Sequence, residues 1–149
     1  MRPTSLLDVN LLVALFDPDH VHHDLAHDWF AEHGRQGWAT CPVTENGFVR
    51  VLASPAYGAA VNRVSDLLPR LSRFCASGGH VFWEDSVSLR DVGLFDWSAA
   101  AGHRQVTDIY LLGLARAHGG RLVTFDRSIP LRAVRGATAK HLSVVGPAD

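Results

Sequence analysis

Four carboxylates in this chain stand where a hydrophobic run stops or a helical pattern opens: Asp8, Glu45, Asp108 and Asp126. Asp8 interrupts Leu6-Leu7-Asp8-Val9-Asn10, and Asp126 follows Leu122-Val123-Thr124-Phe125. Glu45 and Asp108 head the apolar stretches of two expected helices. In an open α/β sheet, strand carboxyl ends and helix N-termini meet along one edge, where ligands bind. Four negative side chains in one pocket repel strongly unless protons or a cation intervene. Such oxygen donors suit a hard divalent cation such as Mg2+. A cation held there activates water and neutralises charge on a phosphate, so the chemistry indicated is phosphodiester hydrolysis.

Each acid also has an ordinary structural reading. Asp8 fits the N-cap of the helix that follows it. Glu45 fits a first-turn residue favoured by the helix dipole. Asp108 fits the first turn of a helix capped by Thr107, and Asp126 fits a turn-former. Against these readings, Glu45 shares a helical face with Phe48, Val49 and Leu52, which places it at a sheet edge and not in open water. A charge at position 8 amid leucines is costly to bury unless it is paired or bound to metal.

The elements expected to position these groups alternate in type. Residues 4–8 read as a buried strand and 10–16 as the helix after it. Asp17-Pro18-Asp19 reads as a turn, because proline restricts its neighbour and lacks an N–H. Residues 22–33 form an amphipathic helix with Leu25, Ala26, Trp29 and Phe30 at helical spacing, stopped by Gly34 and Gly37. A strand follows over 38–40 and a helix over 44–53. Residues 59–76 hold one or two helices, with Asp66 as an N-cap and Pro69 in a first turn. Gly78-Gly79 closes them. Residues 80–83 are a strand, and 86–95 have no clear type. A helix over 107–118 ends at Gly119-Gly120, and strands follow over 122–125 and 142–145. Alternating strands and helices imply an α/β fold with a mostly parallel sheet covered on both faces.

With 149 residues, 47% hydrophobic and 19% charged, the chain is expected to form one globular domain spanning 1–149. Cys41 and Cys75 form no CxxC pair and no disulfide framework, which fits a reduced, cytoplasmic setting. The apolar start, Ser5 to Phe16, carries Asp8 and Asn10 and is too short to span a membrane. Net charge is −1, so overall basicity gives no sign of nucleic-acid binding. Its distribution is uneven: residues 1–100 hold 7 basic and 12 acidic side chains, residues 101–149 hold 7 and 3. Arginine, whose planar fork suits phosphate, supplies nearly all the basic charge. Arg104 and Arg127 stand beside the acids of this basic half and are candidate RNA contacts.

The order of the motifs carries a resemblance. Leu-Leu-Asp-Val-Asn, then Thr-Glu-Asn-Gly-Phe-Val-Arg, Val-Thr-Asp and Leu-Val-Thr-Phe-Asp-Arg resemble the PIN-domain ribonucleases, most of all the VapC-type toxins of bacterial toxin–antitoxin pairs. The similarity extends through Asp17-Pro18-Asp19-His20 and Phe82-Trp83-Glu84-Asp85. It implies a three-layer α/β/α fold and assigns the acidic metal site to Asp8, Glu45, Asp108 and Asp126. Asn10 and Thr124 then fall beside the metal, with Thr107 as a further polar neighbour. It also implies Mg2+ or Mn2+ dependence, an RNA substrate, a homodimer and inhibition by a small cognate antitoxin. Cleavage by activated water would leave 5′-phosphate and 3′-hydroxyl ends.

Other clusters offer less. His23 and His27 are spaced i, i+4, yet no HExxH occurs and the cysteines lack ligand spacing for zinc. Leu7-Asp8-Val9-Asn10 is similar to the DxD pair of aspartyl phosphatases, but Asn10 removes the second acid. The expectation is a metal-dependent endoribonuclease. The alternative is a catalytically inactive PIN-like module that binds protein or RNA.

Overall fold

The structure, a computed structural model, describes residues 3–57 and 62–146. Five strands, β1 Ser5–Leu7, β2 Trp38–Thr40, β3 His80–Phe82, β4 Arg121–Thr124 and β5 Leu142–Val144, form one sheet. Their order is β3-β2-β1-β4-β5, and every neighbouring pair runs parallel. Among the described residues, five α-helices connect them: α1 Val9–Phe16, α2 His23–His33, α3 Pro42–Ala53, α4 Val64–Cys75 and α5 Val106–Ala117.

Because successive strand residues point to opposite faces, β1 and β4 feed two cores. Leu6 and Leu122 pack with Ile109, Leu111, Leu112 and Leu114 of α5. Leu7 and Val123 pack on the other face with Leu11, Leu12, Phe48 and Leu67 from α1, α3 and α4. Each of these side chains is fully buried, worth about 1.5–3 kcal/mol apiece. The outcome is a three-layer α/β/α fold whose all-parallel sheet must be covered on both sides. Among the described residues, no helix is long and apolar enough to cross a membrane.

Several boundaries differ from those read in the sequence. The first strand stops at Leu7, because the Asp8 carboxylate turns to accept from the Val9 N–H at 2.7 Å and opens α1 one residue early. The third helix begins at Pro42, a first-turn position where a missing N–H costs nothing. Over 64–75 there is a single helix: Arg63 is its N-cap, Asp66 lies in its first turn and Pro69 in its interior. Ser65 and Pro69 are both exposed, so the carbonyl left without an amide partner faces water. The expected start at residue 59 lies outside the described residues. The last helix begins at Val106 and not at a Thr107 cap; Gln105 precedes it and offers no side-chain cap. Leu25 lies at the exposed margin of its helix while Ala26 and Trp29 are buried.

The untyped stretch 86–95 is irregular, with turns at 89–90 and 92–94, and ends in one bridge, Phe95 to Val134. Phe95 is buried against α5 at Gly113, where an added Cβ would meet its ring at 2.3 Å. That contact explains a glycine inside an otherwise strong helix.

Candidate active site

The strand order reverses between β1 and β4, and crevices form beyond strand carboxyl ends at such a switch point. Asp8 follows β1 directly, Asp126 lies two residues beyond β4, and Asp108 sits in the first turn of α5. Three aspartates from distant parts of the chain therefore meet at one edge of the sheet. Helix N-termini at Asp8 and Asp108 bring partial positive charge that favours carboxylates there.

A single hydroxyl organises them. Thr124, fully buried, donates from Oγ1 to Asp8 Oδ2 at 2.7 Å. The same oxygen accepts from the Asp126 N–H at 3.0 Å and from Asn10 Nδ2 at 3.2 Å. Asn10 Oδ1 in turn faces the Phe125 N–H at 3.5 Å. The β1–α1 and β4–α5 sides of the crevice are thus tied together through side chains.

The charges in this arrangement strain against one another. Burial pushes the Asp8 carboxyl up, hydrogen bonds from Thr124 and Val9 pull it down, and the Asp126 charge adds to the rise. Asp108 is pushed up to about 7, first by burial, then by the charges of Asp8 and Asp126 and by a hydrogen bond shared with Asp126. Asp126 is held low, chiefly because Ser128 donates from Oγ at 2.7 Å and from N at 2.8 Å. Without a cation, Asp108 keeps a proton near neutral pH and offers it to ionised Asp126. A divalent cation replacing that proton would relieve the repulsion. The donor set, three carboxylates with no sulfur or nitrogen among them, fits a hard cation.

Glu45 is placed differently. Its half-buried carboxylate accepts from Thr40 Oγ1 at 2.7 Å, and its charge acts on Cys75 and His80. It is not among the groups that raise Asp8 or Asp108. The structure brings together Asp8, Asp108, Asp126, Asn10 and Thr124, and turns Glu45 toward β2 and β3. Thr107, the second residue of α5, is exposed on a shallow surface with Val9, Asn46 and Asp85. Arg104 is exposed on the turn before α5, and Arg127 is exposed one residue beyond Asp126.

Two residues not singled out by sequence reasoning line the crevice with Asp8, Asn10 and Asp108: His20 and Tyr57. The Tyr57 hydroxyl donates to Asp17 Oδ2, which ties the tyrosine to the turn after α1. The Asp-Pro-Asp-His run after α1 was the available signal for His20. Nothing local marks Tyr57, since its partner lies forty residues earlier. The i, i+4 histidines serve the fold: His23 Nδ1 and His27 Nε2 bond the carbonyls of Ala14 and Leu15 at 2.7 and 3.0 Å. Those carbonyls are among the orphans of the α1 C-terminus.

Comparison with known proteins agrees with this geometry. The PIN domain family matches residues 5–135. The chain is similar to Ribonuclease VapC44 of Mycobacterium tuberculosis (strain ATCC 25618 / H37Rv), with 47% identity over 141 residues, covering 95% of this chain and 99% of that one. Ribonuclease VapC39 of the same strain is 41% identical over 133 residues, 89% of this chain and 96% of that one. Ribonuclease VapC38 is 47% identical over 125 residues, 84% and 86% respectively. The reversed strand order, the three aspartates at its switch point and these similarities lead to one conclusion: the chain belongs to the PIN-domain family, among its VapC-type ribonucleases.

Proposed function

We propose that this protein is a metal-dependent endoribonuclease that acts as the toxin of a toxin–antitoxin pair. The observation that carries the reading is the Asp8–Asp108–Asp126 cluster, in which burial and mutual repulsion hold a proton on Asp108 up to about pH 7. Asp8, Asp108 and Asp126 would hold Mg2+ or Mn2+, with Glu45 ligating the cation or orienting the attacking water. When bound, such a cation lowers the pKa of water and neutralises charge growing on a phosphate.

The chain's own residues prepare that chemistry. Thr124 fixes the orientation of the Asp8 carboxylate, and Ser128 keeps Asp126 ionised. Asn10, tethered to Thr124, presents an amide to the same crevice. His20 and Tyr57 line the crevice together with Asp8 and Asp108, and would offer an unpaired RNA base aromatic surface to stack on. Arg104 and Arg127 flank the acids and would contact backbone phosphates. No serine, cysteine or histidine nucleophile is needed.

An acidic crevice of this kind also accepts a guanidinium through charge-assisted hydrogen bonds. The partners that follow are an RNA substrate, a cognate antitoxin presenting a basic group, and a second copy of the chain in a homodimer. The test is expression of the chain alone in a bacterial host. Growth arrest relieved by co-expressing the upstream neighbour, with new RNA 5′-phosphate ends on sequencing, is the expected result. Harmless high-level expression of soluble protein, with no new RNA ends, would overturn the toxin reading.

A further inference from the structure

One ring in the lining of the aspartate crevice carries a hydrogen-bond donor that the described part of the protein leaves unspent. His20 lines the crevice with Asp8, Asp108 and Tyr57, and is half-buried there. Its Nδ1 accepts from the His22 N–H at 3.0 Å. A backbone amide can only donate, so the neutral ring must carry its proton on Nε2. We propose that His20 acts in the cleavage reaction as a neutral donor, its Nε2–H bonding a non-bridging oxygen of the scissile phosphate. The proposal rests on the nuclease reading above and adds a residue to it.

The turn that carries His20 holds the ring in place. The His20 N–H donates to the Asp17 carbonyl and the His20 carbonyl accepts from the His23 N–H, each at 3.0 Å. Asp17 is fixed in turn: its Oδ1 accepts from the Asp19 N–H at 3.0 Å and its Oδ2 from the Tyr57 hydroxyl. His23 Nδ1 then anchors the segment to the Ala14 carbonyl of α1 at 2.7 Å. A donor set in place beforehand costs no reorganisation when charge develops on a substrate.

Other polar side chains of that lining are already committed. The Tyr57 hydroxyl gives its proton to Asp17, and Asn10 is tethered through both ends of its amide, to Thr124 and toward the Phe125 N–H. Among the described residues, no hydrogen bond occupies Nε2 of His20. Burial, and then the charge of His22, hold this imidazole below the ordinary histidine range against a smaller opposing pull from Asp17. A proton added at Nδ1 would also point at the His22 N–H and forfeit that bond. A neutral ring suits the place, because an imidazolium would compete with a cation for the same carboxylates. A phosphate drawn to a cation on Asp8 and Asp108 would enter the crevice that this ring lines. The charge growing on its oxygens is what a fixed N–H stabilises, with no proton transferred.

Two measurements on the full-length protein test this. Nitrogen-15 imidazole spectra of the metal-free protein near neutral pH, with the His20 signals identified by their loss in His20→Asn, should show the neutral Nε2–H tautomer. An Nδ1–H tautomer or an imidazolium at His20 overturns the proposal. The second measurement is cleavage kinetics in Mg2+ on a single-stranded RNA that wild type cuts. His20→Asn keeps an acceptor for the His22 N–H and His20→Phe keeps a ring, but neither has a donor at the Nε2 position. Each should lower kcat by about 10^2, as loss of one donor to developing charge does, with little change in KM. His20→Gln, whose amide N–H reaches that position, should stay within about tenfold of wild type. Wild-type kcat in His20→Phe overturns the role, as does a loss confined to KM or a His20→Gln as slow as His20→Phe. Wild type that cuts no RNA in Mg2+ overturns the nuclease reading and this role with it.

Discussion

The hydrogen bond from Thr124 to Asp8 bears on both stability and the proposed metal chemistry. The Asp8 carboxylate is only 4% exposed, and a charge so placed needs hydrogen bonds or a cation. Asp8→Asn keeps the shape and removes the charge, so it should fold and lose RNA cleavage by about 10^2–10^4, the several kcal/mol that a metal site contributes. Thr124→Val removes the orienting hydroxyl alone. It should cost about 10–100-fold in activity or Mg2+ affinity, as outer-shell changes do. Asp108 titrates in the opposite sense to a salt-bridged acid. Its raised pKa means the folded protein holds this proton more tightly than the unfolded chain. Its stabilising effect is therefore full at low pH and declines as pH rises from 3.8 through about 7. In EDTA at pH 8, Asp108→Asn should melt above wild type, and below about pH 4 the gap should close. Mg2+ should narrow the difference at pH 8 by binding the native wild type. Thermal unfolding across pH decides this; an Asp108→Asn protein that melts lower in EDTA at pH 8 would make Asp108 a structural helix-start residue.

At the level of elements, the site depends on how closely α3 approaches α1. A Cβ at Gly47 would lie 2.6 Å from Val9 Cγ2, next to Asp8. Gly47→Ala gains about 1 kcal/mol in helix propensity, but overpacking against a stiff valine costs about 1–3 kcal/mol. The variant should be destabilised and less active, whereas Gly102→Ala, with no atom near its Cβ, should be neutral. Denaturant midpoints and cleavage rates of the two variants check this. Element types were legible because apolar spacing switches cleanly between strands such as Leu122–Thr124 and helices such as α5. The convergence of Asp8 and Asp126 was legible from the same pattern, since each follows an apolar run. The direction of Glu45 was not legible. Its helix face was read correctly as core-facing, but the acceptor bond from Thr40, five residues earlier on β2, draws the carboxylate toward β3. Pro69 was misplaced for a related reason: proline inside a helix is rare, and only its exposed position makes it tolerable.

Across the whole molecule, acidic and basic charge are separated along the chain, and the crevice lies where both halves contribute. Asp8 comes from the acidic part; Asp108, Asp126 and the flanking arginines come from the basic part. Phosphate contacts made by arginine weaken with salt. Cleavage should therefore fall as ionic strength rises, mainly through KM. Arg104→Ala should raise KM several-fold with little change in kcat, because a phosphate contact remote from the reacting atoms contributes equally to ground and transition states. Steady-state kinetics on a fixed RNA at two salt concentrations separates these effects.

The central claim is that Asp8, Asp108 and Asp126 form a divalent-metal site that cleaves RNA. Its most direct test is an RNA cleavage assay with purified wild type, Asp8→Asn and Asp108→Asn, each in EDTA and in Mg2+. The account predicts cleavage by wild type in Mg2+ alone, with both folded variants inactive under either condition. Equal activity in EDTA and Mg2+, or full activity in the two variants, would contradict it.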